Sequence, residues 1–584
     1  VTRHPGWALS GLFVLVAVPL AVWVHGARAS ARERADKIAA EVPQQARDGY
    51  VTSSKCEACH PAQYESWRRG YHHTMTQYAS PESVKGNFHD VMLDAGGYTV
   101  KLWKQGDDFM VDTVDPLWQY EIDFGQRPPE PMAPRVQRRI SLVTGSHHMQ
   151  AYWVSSEVGN GQLSLPFTYL FDDQRWVPRG EVFLHPPDIG RMQLQVWNVS
   201  CIRCHSTGGQ PMALIGGKEL ATKVGEMGIG CEACHGPAEK HVEANQNPVR
   251  RYLLHVGKGG DDTIVNPRKL AALASSQVCG QCHSVHQVSE QIELGEGKTY
   301  VPGQDLEASM PLVRGNDPGY FWADGTIRVS SRDLSGMIES KCMQSGKLAC
   351  TTCHSLHEAD PDGLVAEGAG GDGRCLSCHP KIDAAHTHHA AGSAGSRCYS
   401  CHMPRTVYGL LKAIRNHRID SPVVTGKTGG AERPNACNLC HVDKSLAWTA
   451  QKLHDWYGTA VMPGLPETPA AVEWTLGGDA ILRAIGAWHL GESKQAAMVP
   501  YLVAAVSDPY SAVRYVAIHA LQKIDPRVQI DYLGKPDDRK AAADAVIQRW
   551  ASEHPDLAKD GTAINERILK AIEKRDDTPV RAME

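Results

Sequence analysis

Lys341 to Ala359 reads K-C-M-Q-S-G-K-L-A-C-T-T-C-H-S-L-H-E-A, Arg374 to Pro380 reads R-C-L-S-C-H-P, and His386 to Pro404 reads H-T-H-H-A-A-G-S-A-G-S-R-C-Y-S-C-H-M-P. Three C-x-x-C-H units therefore crowd the span Cys342–His402, with further histidines threaded between them. C-x-x-C-H is the attachment signature of c-type haem: two thiols form thioethers to the vinyl groups and the adjacent histidine ligates the iron. A haem is a large apolar plate, so several of them in a short span take the place of an ordinary side-chain core.

The same unit recurs along the chain. It occurs as Cys56, Cys59 and His60; Cys201, Cys204 and His205; Cys231, Cys234 and His235; and Cys279, Cys282 and His283. It returns as Cys350, Cys353 and His354; Cys375, Cys378 and His379; Cys398, Cys401 and His402; and Cys437, Cys440 and His441. These eight motifs use sixteen of the 17 cysteines and leave Cys342. Zinc knuckles and disulfide frameworks also accept C-x-x-C, but neither requires a histidine after every second cysteine. The expected cofactor is haem c, eight per chain and covalently attached. Cys342 is expected beside the haem of Cys350 and Cys353, either as a small buried side chain or as a soft ligand for iron or copper.

Eight irons take eight proximal histidines, and 28 histidines are present in all. Fourteen of the others lie between residues 51 and 441, enough to give every iron a second imidazole. The candidates for that role are His72, His73, His147, His148, His241, His286, His357, His388, His389 and His417. His241, His286 and His357 follow a proximal histidine too closely to fold back on the same haem, so they are expected to reach the next one.

The fold class expected is a multihaem cytochrome c, mostly α and irregular, with a β-rich insertion, an N-terminal transmembrane helix and C-terminal HEAT-like α-helical repeats. Trp7–Val24 is an uncharged apolar run of eighteen residues. That is just long enough to span a bilayer, with Trp7 and Trp23 at the two interfaces. Ala27-Arg28-Ala29 resembles a processing site, so a cleavable signal peptide is the alternative; the length of the run favours an anchor. Residues 1–26 are thus read as an anchor, 27–50 as a helical stalk and 51–95 as a first haem module. The alternating segments after Tyr98 make 96–190 a β-rich insertion without cysteine. Residues 191–445 form a seven-haem domain, in which the stretch from Gln287 to Ser340 wraps the stack and carries no chemistry of its own. In 446–584 the S-D-P-Y-S-A-V-R-Y-V-A-I-H-A-L-Q-K-I run from Ser507 has helical periodicity, and the tail reads as a separable HEAT-like cap or docking module.

Only eight residues are Phe, while Gly and Pro number 54 and 35, a loop-rich composition suited to cofactor packing. The formal net charge of -5 points away from nucleic acid. Arg28, Arg32, Arg34 and Lys37 follow the apolar run and favour a cytoplasmic placement of what comes next. Assembly of c-type haems outside the cytoplasmic membrane outweighs them, and places the bulk of the chain in the periplasm or another extracytoplasmic space.

C-E-A-C-H-G-P-A-E-K-H-V, C-H-S-L-H, S-A-G-S-R-C-Y-S-C-H-M-P and P-N-A-C-N-L-C-H resemble the doubled-CxxCH multihaem cytochromes. These are related to the tetrahaem cytochrome of hydroxylamine oxidation and, more distantly, to octahaem hydroxylamine oxidoreductase. The resemblance implies closely stacked haems and electron transfer; with the anchor and the tail, the expected role is to carry electrons between a membrane redox complex and a protein partner that docks on the HEAT-like tail. A second implication stays open: an octahaem oxidoreductase in which one open haem acts on a small nitrogen or sulfur compound.

Overall fold

The computed structural model describes residues 36–95, 97–126, 132–187, 192–213, 219–257, 260–297, 300–315, 317–424 and 432–582. Among them no helix is long and apolar enough to cross a membrane, and the run Trp7–Val24 lies outside the described residues.

An eight-stranded sheet forms the β-rich part. Its strands are β1 (Thr76–Tyr78), β2 (Val91–Ala95), β3 (Tyr98–Gln105), β4 (Asp108–Val114), β5 (Arg135–Thr144), β6 (Met149–Ser155), β7 (Gln162–Leu170) and β8 (Arg175–Pro178). They run antiparallel in the order β2 to β8, with β1 added to the far end of β5. Strand β3 shows why: Tyr98, Val100 and Leu102 are buried while Thr99 and Lys101 face out, the two-residue alternation of a half-buried strand. The sheet begins some twenty residues before the expected boundary at 96. Thr76 and Val91, assigned to the first haem module on sequence, are already sheet.

The expected stalk also changes character. After one helical turn at residues 36–40 the chain becomes extended, and Gln44 and Gln45 pair in parallel with Lys223 and Val224. Val42 is buried, so this segment is packed onto the haem-bearing region.

The C-terminal part is helical: α1 (Leu446–Tyr457), α2 (Ala470–Gly477), α3 (Ala480–Glu492), α4 (Val499–Ala505), α5 (Ser511–Ile524), α6 (Pro536–Glu553) and α7 (Gly561–Glu573). The ends carry the expected signals. The Ser445 hydroxyl accepts from the Trp448 N–H at 3.1 Å, and α1 stops at Gly458, whose φ is 68°. Pro536 opens α6 and Asp537 and Asp538 fill its first turn. Helices α3 and α5 pack face to face, and the largest hydrophobic core runs from them into Leu170, Val177, Leu184, Trp322, Tyr408 and Leu439. The helical tail therefore shares one core with the sheet and the haem-bearing segments.

Candidate haem centres and their axial ligands

Each C-x-x-C-H unit is one turn of helix. The His60 N–H donates to the Cys56 carbonyl at 2.8 Å, and the same i to i+4 bond recurs at His205, His283, His354, His379 and His441. Cys231–His235 and Cys398–His402 are helical outright. One turn places residues i, i+3 and i+4 on a single face, so both thiols and the imidazole of a motif approach one plate from one side.

What faces the proximal imidazole decides the chemistry. An iron takes an imidazole nitrogen at about 2.0 Å and the ring centre lies about 1.1 Å beyond it, so two trans imidazoles have centres about 6.2 Å apart. Six proximal rings meet a second histidine at that spacing. His60 faces His241, His283 faces His72, and His235 faces His357, each at 6.4 Å. His354 faces His417 at 6.2 Å, His402 faces His386 at 6.2 Å, and His441 faces His389 at 6.0 Å. The slot between each pair fits an iron with two axial imidazoles. Five of the partners come from distant parts of the chain, so those haems would staple two segments together, whereas His386 lies close before His402 in sequence.

Local packing explains how one of these partners is set. The His72 carbonyl accepts from Ile229 N at 2.9 Å, and the Trp67 indole donates to the Ile229 carbonyl at 2.8 Å. Gly228, at φ 69°, lies against the same segment: a Cβ there would sit 2.3 Å from the His73 carbonyl oxygen, so no other residue fits. Burial, then the neighbouring His283, push the His72 pKa down to about 4, which keeps the ring neutral and able to ligate.

The remaining candidates lie elsewhere. His73 packs edge-on against Trp67 at 4.7 Å. His147 stacks on Tyr71 at 3.7 Å, and His148 lies 3.2 Å from the Lys412 amine. His286 sits between the Met310 and Gly280 carbonyls at 3.1 and 2.8 Å, held by backbone instead of facing a proximal ring. His388, in a left-handed conformation at φ 51°, stacks on Trp456 at 4.4 Å. His241 and His357 reach earlier motifs in the sequence, not later ones. His386 was absent from the expected ligands; its only sequence signal was its place in the H-T-H-H run. Among the described residues no histidine ring faces His205 or His379 at the ligand spacing. The His205 Nδ1 is buried beside the Met75 backbone, whereas Cys375, Cys378 and His379 are all exposed.

Two family models match the chain: one described as cytochrome c554 and c-prime, over residues 55–95 and 190–236, and one described as the doubled CXXCH motif, over residues 342–384. The chain is a multihaem c-type cytochrome. It carries haem c on C-x-x-C-H motifs. No curated protein sequence matches the cytochrome. Among solved structures it is similar to the outer cell wall cytochrome OcwA, with 17% identity and a TM-score of 0.46, over 86% of this chain and 100% of that one. It is also similar to the octaheme sulfite reductase MccA of Wolinella succinogenes, with 13% identity and a TM-score of 0.27, over 91% of this chain and 84% of that one.

The motifs of the cytochrome touch one another. The side chains of Cys56 and Cys231 lie beside each other, as do those of Cys279 and Cys350 and those of Cys375 and Cys398. Cys234 lies within electrostatic reach of Cys279, Cys353 of Cys375, and Cys401 of Cys437 and Cys440. The Cys282 sulfur is 3.8 Å from the Arg203 carbonyl, and Cys204 acts on His283. Cys342 is half-buried and lies near Cys375, the first cysteine of the following motif, in addition to its sequence proximity to Cys350.

Proposed function

We propose that this cytochrome is an electron conduit: eight covalently attached haems, at least six of them held by two histidines, that pass electrons between a membrane redox complex and an extracytoplasmic protein partner. The observation that carries this reading is the set of six imidazole pairs at the spacing of trans axial ligands. An iron with both axial positions filled transfers electrons and has no site for a substrate. The contacts between motifs support one continuous path. It runs from the haem at His60 through those at His235, His283, His354, His379 and His402 to the haem at His441, with the His205 haem branching beside His283.

Trp7–Val24 would anchor the protein in the cytoplasmic membrane, with the rest of the chain in the periplasm or another extracytoplasmic space. The tail supports a HEAT-like reading through Arg483 of α3, whose Nε lies 2.6 Å from Asp508 ahead of α5, and it would offer a surface to a redox partner.

A second reading rests on His205. No histidine faces it among the described residues, so its iron would keep an open position for a small nitrogen or sulfur compound. The His147–His148 turn lies beside the same backbone, since Gly145 N donates to the Met75 carbonyl at 2.9 Å, and it brings Tyr71 and Lys412 near as proton-handling groups. Electron paramagnetic resonance of the oxidised protein separates the readings. Low-spin signals from fewer than six irons would sink the ligand map. A stoichiometric high-spin haem that binds carbon monoxide and turns over nitrite, sulfite or hydroxylamine would replace the conduit with the oxidoreductase.

A further inference from the structure

Asp333 stands between two axial histidines that belong to different irons. Its Oδ2 accepts from the Nδ1 of His283 at 3.1 Å, and its Oδ1 lies 3.0 Å from the Nδ1 of His417, off the ideal hydrogen-bond direction. A small rotation of the His417 ring would align that contact, and the buried Nδ1 has no other hydrogen-bond partner among the described residues. His283 is proximal in the fourth motif, and His417 faces His354 of the fifth.

The carboxylate is held by its own short helix. In Asp333–Met337, Leu334 N donates to the His283 carbonyl at 2.9 Å and the Ser335 hydroxyl accepts from Val285 N at 3.0 Å. Ser340, just beyond, accepts from Ile419 N at 2.8 Å, two residues past His417. The backbone on both sides is thus clamped to the segment that carries Asp333.

Other axial histidines in the array are backed differently. His235 contacts the Val265 carbonyl at 2.7 Å, His354 the Gly363 carbonyl at 2.9 Å and His402 the Asp420 carbonyl at 2.8 Å. His241 has a carboxylate, Asp261, at 3.2 Å, but Arg250 lies 2.9 Å from the same carboxylate and offsets its charge. Among the described residues no lysine or arginine pairs with Asp333. A carboxylate behind Nδ1–H makes an imidazole a more basic ligand, and its negative charge favours the ferric iron, so the reduction potential falls.

We infer that Asp333 is a shared positioning residue, which orients one axial histidine of each of two adjacent haems and sets both to lower potentials than haems whose histidines have only carbonyls behind them. The inference rests on the reading of His283 and His417 as axial ligands. The two haems are neighbours in the path, since the Cys279 and Cys350 thiols are in contact. Electrons crossing the middle of the array would then meet a low-potential pair governed by one side chain.

The test is a potentiometric titration of the full chain carrying Asp333→Asn, with Asp333→Glu as the charge-keeping variant. Two haem waves should move to higher potential in the Asn variant, the others should stay, and the Glu variant should return toward wild type. No movement, movement of a single wave, or an even shift across the array would overturn the inference. If the Asn variant does not assemble, redox-difference infrared spectroscopy of the wild type decides. A carboxylate band responding in step with the lowest-potential pair supports the role, and its absence overturns it. High-spin iron at His283 or His354 in the wild type would instead show that the ligand reading itself had failed, before any variant is made.

Discussion

Arg328 donates from Nη2 to the Asp479 carboxylate, 2.6 Å from Oδ1, with the arginine side chain fully buried and the aspartate nearly so. The arginine belongs to the segment after the fourth haem motif, and the aspartate is the N-cap of α3, where its Oδ1 also accepts from Leu482 N at 2.9 Å. One buried pair thus joins the haem-bearing region to the tail. Removing one partner strands the other charge away from water. Asp479→Asn is expected to cost about 3 kcal/mol. The exposed Arg175–Asp531 pair, at 2.8 Å, also joins the sheet to the tail, yet Asp531→Asn should cost less than about 1 kcal/mol. Urea unfolding followed by circular dichroism checks the contrast, and equal costs would refute it.

Truncation after Ser445 follows from the same interface. It would expose the faces of Leu170, Val177, Leu184, Trp322 and Leu439 that the tail helices cover. The truncated chain is therefore expected to lose haem content and to become sensitive to protease. A truncated protein with full haem content and unchanged melting would restore the tail to the status of a separable module.

His519 of α5 lies 3.2 Å from Asp173 in the turn between β7 and β8. Burial works against the imidazolium, but the Asp173 contact outweighs it and raises the His519 pKa. Burial likewise acts to raise Asp173, and His519 brings it below the usual carboxylate range. The pair stabilises fully between the unfolded pKa of the aspartate, about 3.9, and that of the histidine, about 6.5, and the contribution is lost as pH rises through the folded histidine pKa. Because both groups are partly exposed, the effect is about 0.5–1 kcal/mol. His519→Ala should lower the unfolding midpoint at pH 5.5 and leave it almost unchanged at pH 9. An equal loss at both would assign the residue to packing alone.

The cofactor was readable from the sequence because C-x-x-C-H is local: one helical turn contains the whole attachment chemistry. The second ligands were not readable in the same way, because His241 follows the third motif while His60 belongs to the first, and only tertiary packing brings them to 6.4 Å. His286 has the same three-residue spacing from its motif as His357, yet one rests between carbonyls and the other faces His235. Asp333 left no local signal at all, lying in a stretch that reads as loop. The alternation in Tyr98–Gln105 marked the sheet, whereas the start at Thr76 did not show, since a three-residue strand has too little pattern to register.

The ligand map yields a sharp mutational pattern. Replacing any of His72, His241, His357, His386, His389 or His417 by Ala removes one axial imidazole and leaves the thioethers and the proximal histidine in place. Each variant should keep its full haem content, convert one low-spin iron to high-spin, and bind one more equivalent of carbon monoxide than the parent. His286→Ala and His388→Ala should change neither, because His286 is held by the Met310 and Gly280 carbonyls and His388 by the face of Trp456. The contrast between His388 and His389 is the most demanding, since the two are adjacent in sequence and only His389 faces a proximal ring, that of His441 at 6.0 Å. If His388→Ala opens an iron and His389→Ala does not, the pairing at the eighth motif is wrong. If neither does, the reading of the eighth haem as bis-histidine is wrong.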